Sequence, residues 1–159
     1  MKTIFLFASV AVASGLVLAN VYTSIVDARS WGSNLPNSIA VARDYYSTVN
    51  PGHFFRIFSP INQALGLLVV LLFWRSVPEA RWYLGIAFLL YLVAEGLTFG
   101  YFYPRNEIMF NTASLEDTDL LEKTWSQWNT MNWVRTMVLL VGIVLSFISV
   151  HKIYLAREN

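Results

Sequence analysis

Four apolar stretches constrain this chain more than any other feature: Ile4–Ile25, Ile61–Trp74, Trp82–Tyr103 and Trp133–Val150. A helix needs about 20 largely apolar residues to cross a bilayer's hydrocarbon core, within a range of about 17–25. The first, third and fourth stretches meet that length directly. The second lies between Pro60 and Arg75, and needs a turn drawn from Phe54–Ser59, or a snorkelling Arg75, to reach across. Only 13% of the 159 residues are charged, against 56% hydrophobic, and the mean hydropathy is +0.50. A soluble domain carries about 25% charged residues, so this chain cannot cover a globule of its size with charge. The expected fold is all-α, an integral membrane four-helix bundle with additional short outer-side helices. It forms a single domain over residues 1–159, with spans near 4–25, 59–75, 82–103 and 132–151.

The same composition excludes several functions. A formal net charge of +1 leaves no basic field for nucleic acid. Without cysteine there are no disulfides, Cys-ligated zinc, iron–sulfur clusters or thiol redox chemistry. His53 and His151 fall on opposite sides of the expected membrane, which argues against a two-His metal or haem site, and His53 reads as a surface residue. No phosphate loop, dinucleotide fingerprint or nucleophile elbow is present. Lys2, the first apolar run and Ala19-Asn20 also resemble a secretory signal with its cleavage site, but the length of the run favours a retained span.

Charge sets the expected orientation. Lys2, Arg75, Arg81, Lys152 and Arg157 stand on one side against Glu79 and Glu158, a net of +3. The other side holds six basic residues, Arg135 among them, and seven acidic ones, and its segments Val26–Arg56 and Pro104–Asn132 are long enough to carry structure of their own. Weighting the short loops puts both termini in the cytoplasm, in a cell inner membrane. In the first outer segment Pro36 can start a helix whose Ile39, Ala42, Tyr46 and Val49 share a face, with Asn50-Pro51-Gly52 ending it. In the second, Ser114 and Asp117 approximate a capping box, and the helix that follows can run straight into the last span. Ala11, Gly15 and Ala19, and Gly96 with Gly100, read as small-residue stripes for packing within the bundle, with a homodimer face as the alternative. Trp31 and other Trp and Tyr residues near span ends read as interfacial belts.

Polar residues at membrane depth are the informative ones. Glu95 is the only acidic residue inside a span, and it lies about 12 Å below the Tyr103 end at 1.5 Å per residue. A charge there costs at least about 2.5–3.5 kcal/mol on insertion scales, so it must be protonated, paired or in contact with water. Glu95, Thr98, Phe102 and Asn106 share one helical face, and Trp128, Asn132, Arg135 and Thr136 share another. With Asn20 and Asn62 in the same half, all four helices can offer a polar group to one volume. The expectation is an outer-half cavity with Glu95 and Arg135 as its charged pair. The alternative is a structural ion pair that only locks the bundle.

The run Tyr103-Pro104-Arg105-Asn106-Glu107, then Trp125 and Trp128, then Asn132-Trp133-Val134-Arg135-Thr136, resembles the anthrone oxygenase-like family of small four-helix integral membrane proteins. Pro104, Asn106, Asn132, Arg135 and Thr136 match its pattern residue by residue. Where the family often has Trp-Asn-His-Val-Arg-Thr, this chain reads Met131-Asn132-Trp133-Val134-Arg135-Thr136, so a tryptophan and a histidine are replaced. The first outer segment is also longer than the family norm. The resemblance implies an oxygenase acting on anthrones, reduced polycyclic phenols, with no cofactor. A base removes the acidic C–H proton, and the electron-rich enolate reacts with dioxygen. On that reading Glu95 is the base, while Arg135, Asn106 and Asn132 hold the substrate oxygens. Phe102, Trp125, Trp128 and Trp133 supply stacking walls, and Asn62 completes the binding set. The partners implied are a hydrophobic small molecule and membrane lipid. Residues alone also admit a small proton-coupled transporter, or a lipophile-binding accessory membrane subunit.

Overall fold

The computed structural model describes residues 2–158; the side chains of Arg157 and Glu158, both used in the charge count, lie outside the described residues. The chain folds as an all-α membrane bundle. Helix α1 spans Lys2–Tyr22 and continues through a π-helical turn, Thr23–Asp27, and a last α-turn, Ala28–Trp31. The short α2 covers Asn37–Tyr45, and α3 runs from Pro51 to Phe73. Helix α4 begins as Pro78–Leu97, then passes through a π-turn at Thr98–Phe102, the α-turn Tyr103–Glu107 and a second π-turn at Ile108–Thr112. Helix α5 is one unbroken helix, Thr118–Glu158. Four helices are long and apolar enough to cross a membrane: Lys2–Trp31, Pro51–Phe73, Pro78–Thr112 and Thr118–Ala156.

Every helix runs past the apolar stretch that announced it. The second reaches 23 residues because Asn50-Pro51-Gly52 starts it, where the sequence pattern suggested the end of the preceding helix. Asn50 Oδ1 accepts from the Gly52 N–H at 2.9 Å, and His53 Nδ1 accepts from the Asn50 N–H at 3.2 Å. Those bonds satisfy donors that a helix start leaves free, and Pro51 sits where its missing N–H costs nothing. Consequently α2 stops at Tyr45. Ile39 and Ala42 are buried as expected, but Val49 lies beyond the helix and is exposed. The 41 residues of α5 make about 60 Å of helix, twice the hydrocarbon thickness, so it stands well clear of the bilayer. Its cap is Asp117, whose Oδ1 accepts from the Leu120 N–H at 3.1 Å. Ser114, the expected cap, accepts instead from Glu116 within the preceding turn.

Helices α4 and α5 pack along their length; α1 lies against α3 and α5, and α3 against α4. The buried apolar residues form three layers. One, near the termini, centres on Leu6, Phe73 and Ile153; a middle one on Ala13, Tyr91 and Leu139; and a distal one, away from the termini, on Trp31, Phe102 and Trp128. Close helix approach depends on Gly66, under the Phe88 ring, and on Gly142, under Tyr91. The stripes expected to serve that purpose do not: nothing lies within 4 Å of where a Cβ on Gly15, Gly96 or Gly100 would stand. Spacing alone could not locate the rings that require a glycine opposite them. A Cβ on Gly142 would lie 2.6 Å from Tyr91 Cε1, and Tyr91 is fixed by a 3.0 Å hydrogen bond between its hydroxyl and Ser146 Oγ. Gly142→Ala is expected to destabilise the protein by about 1–3 kcal/mol through overpacking, with Gly15→Ala near neutral. Thermal unfolding of both variants in detergent checks this.

Candidate functional site

The distal layer walls a chamber of about 380 Å³, within the range of about 300–1,000 Å³ usual for small-molecule sites. Its rings pack edge to face: Trp31 against Phe110 at 5.0 Å and Trp128 at 5.2 Å, and Phe102 against Trp128 at 5.4 Å. The Trp128 indole is fixed in plane because its Nε1–H donates to Asn106 Oδ1 at 2.7 Å. Thr23 and Thr98, which also line the chamber, belong to the π-turns of α1 and α4. The wider π backbone re-aims side chains, and π-turns recur at functional sites for that reason. On the open side, α2 is tied down by Arg43, which donates to the carbonyls of Met109 at 3.0 Å and Ala113 at 2.9 Å. Tyr46 closes over Trp31. Burial pushes the Tyr46 hydroxyl above the ordinary phenol range, and the charge of Asp27 adds to it, so this hydroxyl remains a neutral donor and acceptor.

Arg135 forms the deep end of the chamber and is only 7% exposed. Its guanidinium lies 3.9 Å above the Phe102 ring centre. One Nη donates to Thr98 Oγ1 at 3.2 Å and the other to Asn132 Oδ1 at 2.5 Å. Asn132 is itself anchored on α1, where its Nδ2 donates to Ser24 Oγ at 2.6 Å and to the Asn20 carbonyl at 3.2 Å. Three helices therefore fix one cation. Arg43, Arg56 and Arg135 line the chamber against a single carboxylate, Glu107, so its field is positive.

Behind Arg135, a polar notch of about 20 Å³ reaches toward the middle of the bundle, sharing Phe55, Thr98 and Arg135 with the chamber. Glu95 and Asn62 line the notch, not the chamber. The expected pair of charges is thus brought into one region without closing an ion pair. Among the described residues the ion pair within 4.0 Å is Lys152–Glu79 at 3.7 Å, at the opposite end. The reason is local: Asn132 and Thr98, each three residues from one of the two charges along its own helix, take both ends of the Arg135 fork. Glu95 faces the Ser59 hydroxyl of α3 in the notch and still feels the Arg135 charge at longer range.

Of the substrate-binding residues expected from sequence, Phe102, Asn106 and Trp128 line the chamber with Arg135, and Asn62 lines the notch with Glu95. Asn132 lines neither space; it is fully buried and serves to hold Arg135. Trp125 is likewise outside, packed on Gly32 with its Nε1–H on the Ala28 carbonyl at 2.6 Å. Trp133 faces outward in an apolar groove with Met137 and Val141. Trp31, read as an interfacial belt residue, is instead a chamber wall, because α1 continues past Asp27 and carries it inward. The uninterrupted run from Ser24 to Trp31, free of Pro and Gly, was the available signal.

No curated protein and no solved structure matches the chain. The family model described as anthrone oxygenase matches residues 53–145, more than half of the chain. The match starts in the first turn of α3 and takes in Glu95, Phe102, Asn106, Trp128 and Arg135, while the walls from α1 and α2 lie before it. The chain therefore belongs to the anthrone oxygenase family.

Proposed function

We propose that this protein is a cofactor-independent oxygenase of anthrone-like polycyclic phenols, with the distal chamber as its active site. The observation that carries the reading is a buried guanidinium held by two hydrogen bonds over Phe102, at the deep end of an aromatic chamber with a positive field. An anthrone is planar, apolar and weakly acidic at its methylene carbon. Stacking against edge-to-face rings accommodates its plane, and the Arg135 cation stabilises the negative charge that develops on oxygen when the C–H proton leaves. The guanidinium is oriented before substrate arrives, so little reorganisation accompanies the reaction.

Glu95 is proposed as the base. The C–H proton goes to the base, and the electron pair left behind delocalises onto the carbonyl oxygen facing Arg135. The enolate carbon then gives its electrons to dioxygen, and the peroxide takes up a proton. Loss of water across the carbon–hydroperoxide leaves a second carbonyl. One anthrone and one dioxygen thus yield one quinone and one water. In the orientation we propose, both termini lie on the cytoplasmic side of the cell inner membrane and the chamber lies on the outer side. Reaction under isotopically labelled dioxygen tests the chemistry. Label in the new quinone carbonyl is expected, and an unlabelled carbonyl would overturn the oxygenase reading.

A further inference from the structure

The notch behind Arg135 holds a concentration of unmet hydrogen-bonding groups. Asn20 Oδ1, Asn62 Oδ1, Gln63 Oε1 and Arg135 Nε are all buried without a partner, and all four residues line this one space. Two of the amide orientations are fixed by their own donors: Asn20 Nδ2 donates to the Leu16 carbonyl at 2.8 Å and Gln63 Nε2 to the Tyr91 carbonyl at 3.0 Å. Their oxygens are therefore the free ends. Asn20 and Asn62 are only 2% and 1% exposed, and a buried polar atom without a partner is costly. Around them stand the Glu95 carboxylate and the Ser59 hydroxyl.

We propose that the notch is a water site that connects Glu95 to the chamber as a proton relay. The space open to the centre of a water, about 20 Å³, admits at least one molecule, and the surrounding groups supply the two to four polar partners that a buried water needs. A water there accepts from Arg135 Nε–H and donates to two of the surrounding oxygens, the Glu95 carboxylate included. Because Glu95 does not line the chamber, the water supplies the missing link. It takes the substrate's proton while passing one of its own to the Glu95 carboxylate, and the reverse exchange returns the proton for the peroxide. This relay rests on the oxygenase reading for its purpose, but not for its existence.

The test uses the resting protein without substrate, so its failure is distinguishable from a failure of the oxygenase reading. The Glu95 carboxyl band is followed by infrared spectroscopy at a pH acid enough to protonate it, and assigned as the band missing in Glu95→Gln. After transfer to heavy water, its exchange is timed in wild type, Asn62→Leu and Gln63→Leu, with bulk amide exchange as the control for folding. Rapid exchange in wild type, slowed on the order of tenfold when either acceptor is replaced by an apolar side chain, is the expected result. If one variant does not fold, the other decides. Equal rates in wild type and a folded variant, or a Glu95 that fails to exchange in wild type, would overturn the relay.

Discussion

Replacing Arg135 with alanine is expected to lower kcat/KM for an anthrone by about 10²–10³-fold, the usual cost of losing one preorganised oxyanion donor. The same change removes the donor to Asn132 Oδ1 and to Thr98 Oγ1. Buried acceptors left in that state cost about 1–3 kcal/mol, so a lower unfolding temperature should accompany the lost activity. Arg135→Lys separates the two effects. An ammonium keeps the charge, but it is a compact point charge without the planar fork that spans Thr98 and Asn132. Most of the rate should therefore stay lost while the protein remains folded. If Arg135 were only a lock between helices, activity in Arg135→Lys would track the folded fraction, and steady-state kinetics beside thermal unfolding would show it.

Glu95→Gln should have an effect of similar size by a different route. The amide preserves shape and hydrogen-bonding reach but cannot accept the substrate proton. A loss of about 10²–10⁴-fold in kcat is expected for removal of a general base, with ligand affinity nearly unchanged because Glu95 does not line the chamber. Stability should fall only modestly, since Glu95 and Arg135 attract each other without closing an ion pair within 4.0 Å. A direct pair would predict a large fall, because breaking it would strand a buried guanidinium. Rapid-mixing kinetics together with equilibrium binding of a non-oxidisable quinone separates these outcomes.

Periodicity and hydropathy made the membrane class and the four long helices legible, because a bilayer permits few alternatives to a helix with an apolar surface. Helix ends were less legible. Asn50-Pro51-Gly52 has the composition of a stop, yet works as a start, because capping depends on which neighbour supplies the acceptor. The faces of α4 and α5 brought Phe102, Asn106, Trp128 and Arg135 to one chamber, as helical spacing alone suggests. Asn132 shares its face with Arg135 in sequence but spends both ends of its amide on α1 and the guanidinium, a choice fixed by which helix lies opposite. Tyr46 and Arg43 come from a segment whose fold over the chamber depends on tertiary contacts between α2 and the end of α4. The unmet oxygens of Asn20, Asn62 and Gln63 became visible only when the four long helices met around the notch.

The most direct measurement of the central claim is dioxygen consumption by the purified protein in detergent when an anthrone is added, read against protein-free detergent and against Arg135→Ala and Glu95→Gln. Catalysed uptake of one dioxygen per anthrone, reduced to near the protein-free rate by either substitution, is the predicted result. Tight binding of the anthrone with uptake no faster than in protein-free detergent would contradict it, and would make the chamber a binding site without a reaction.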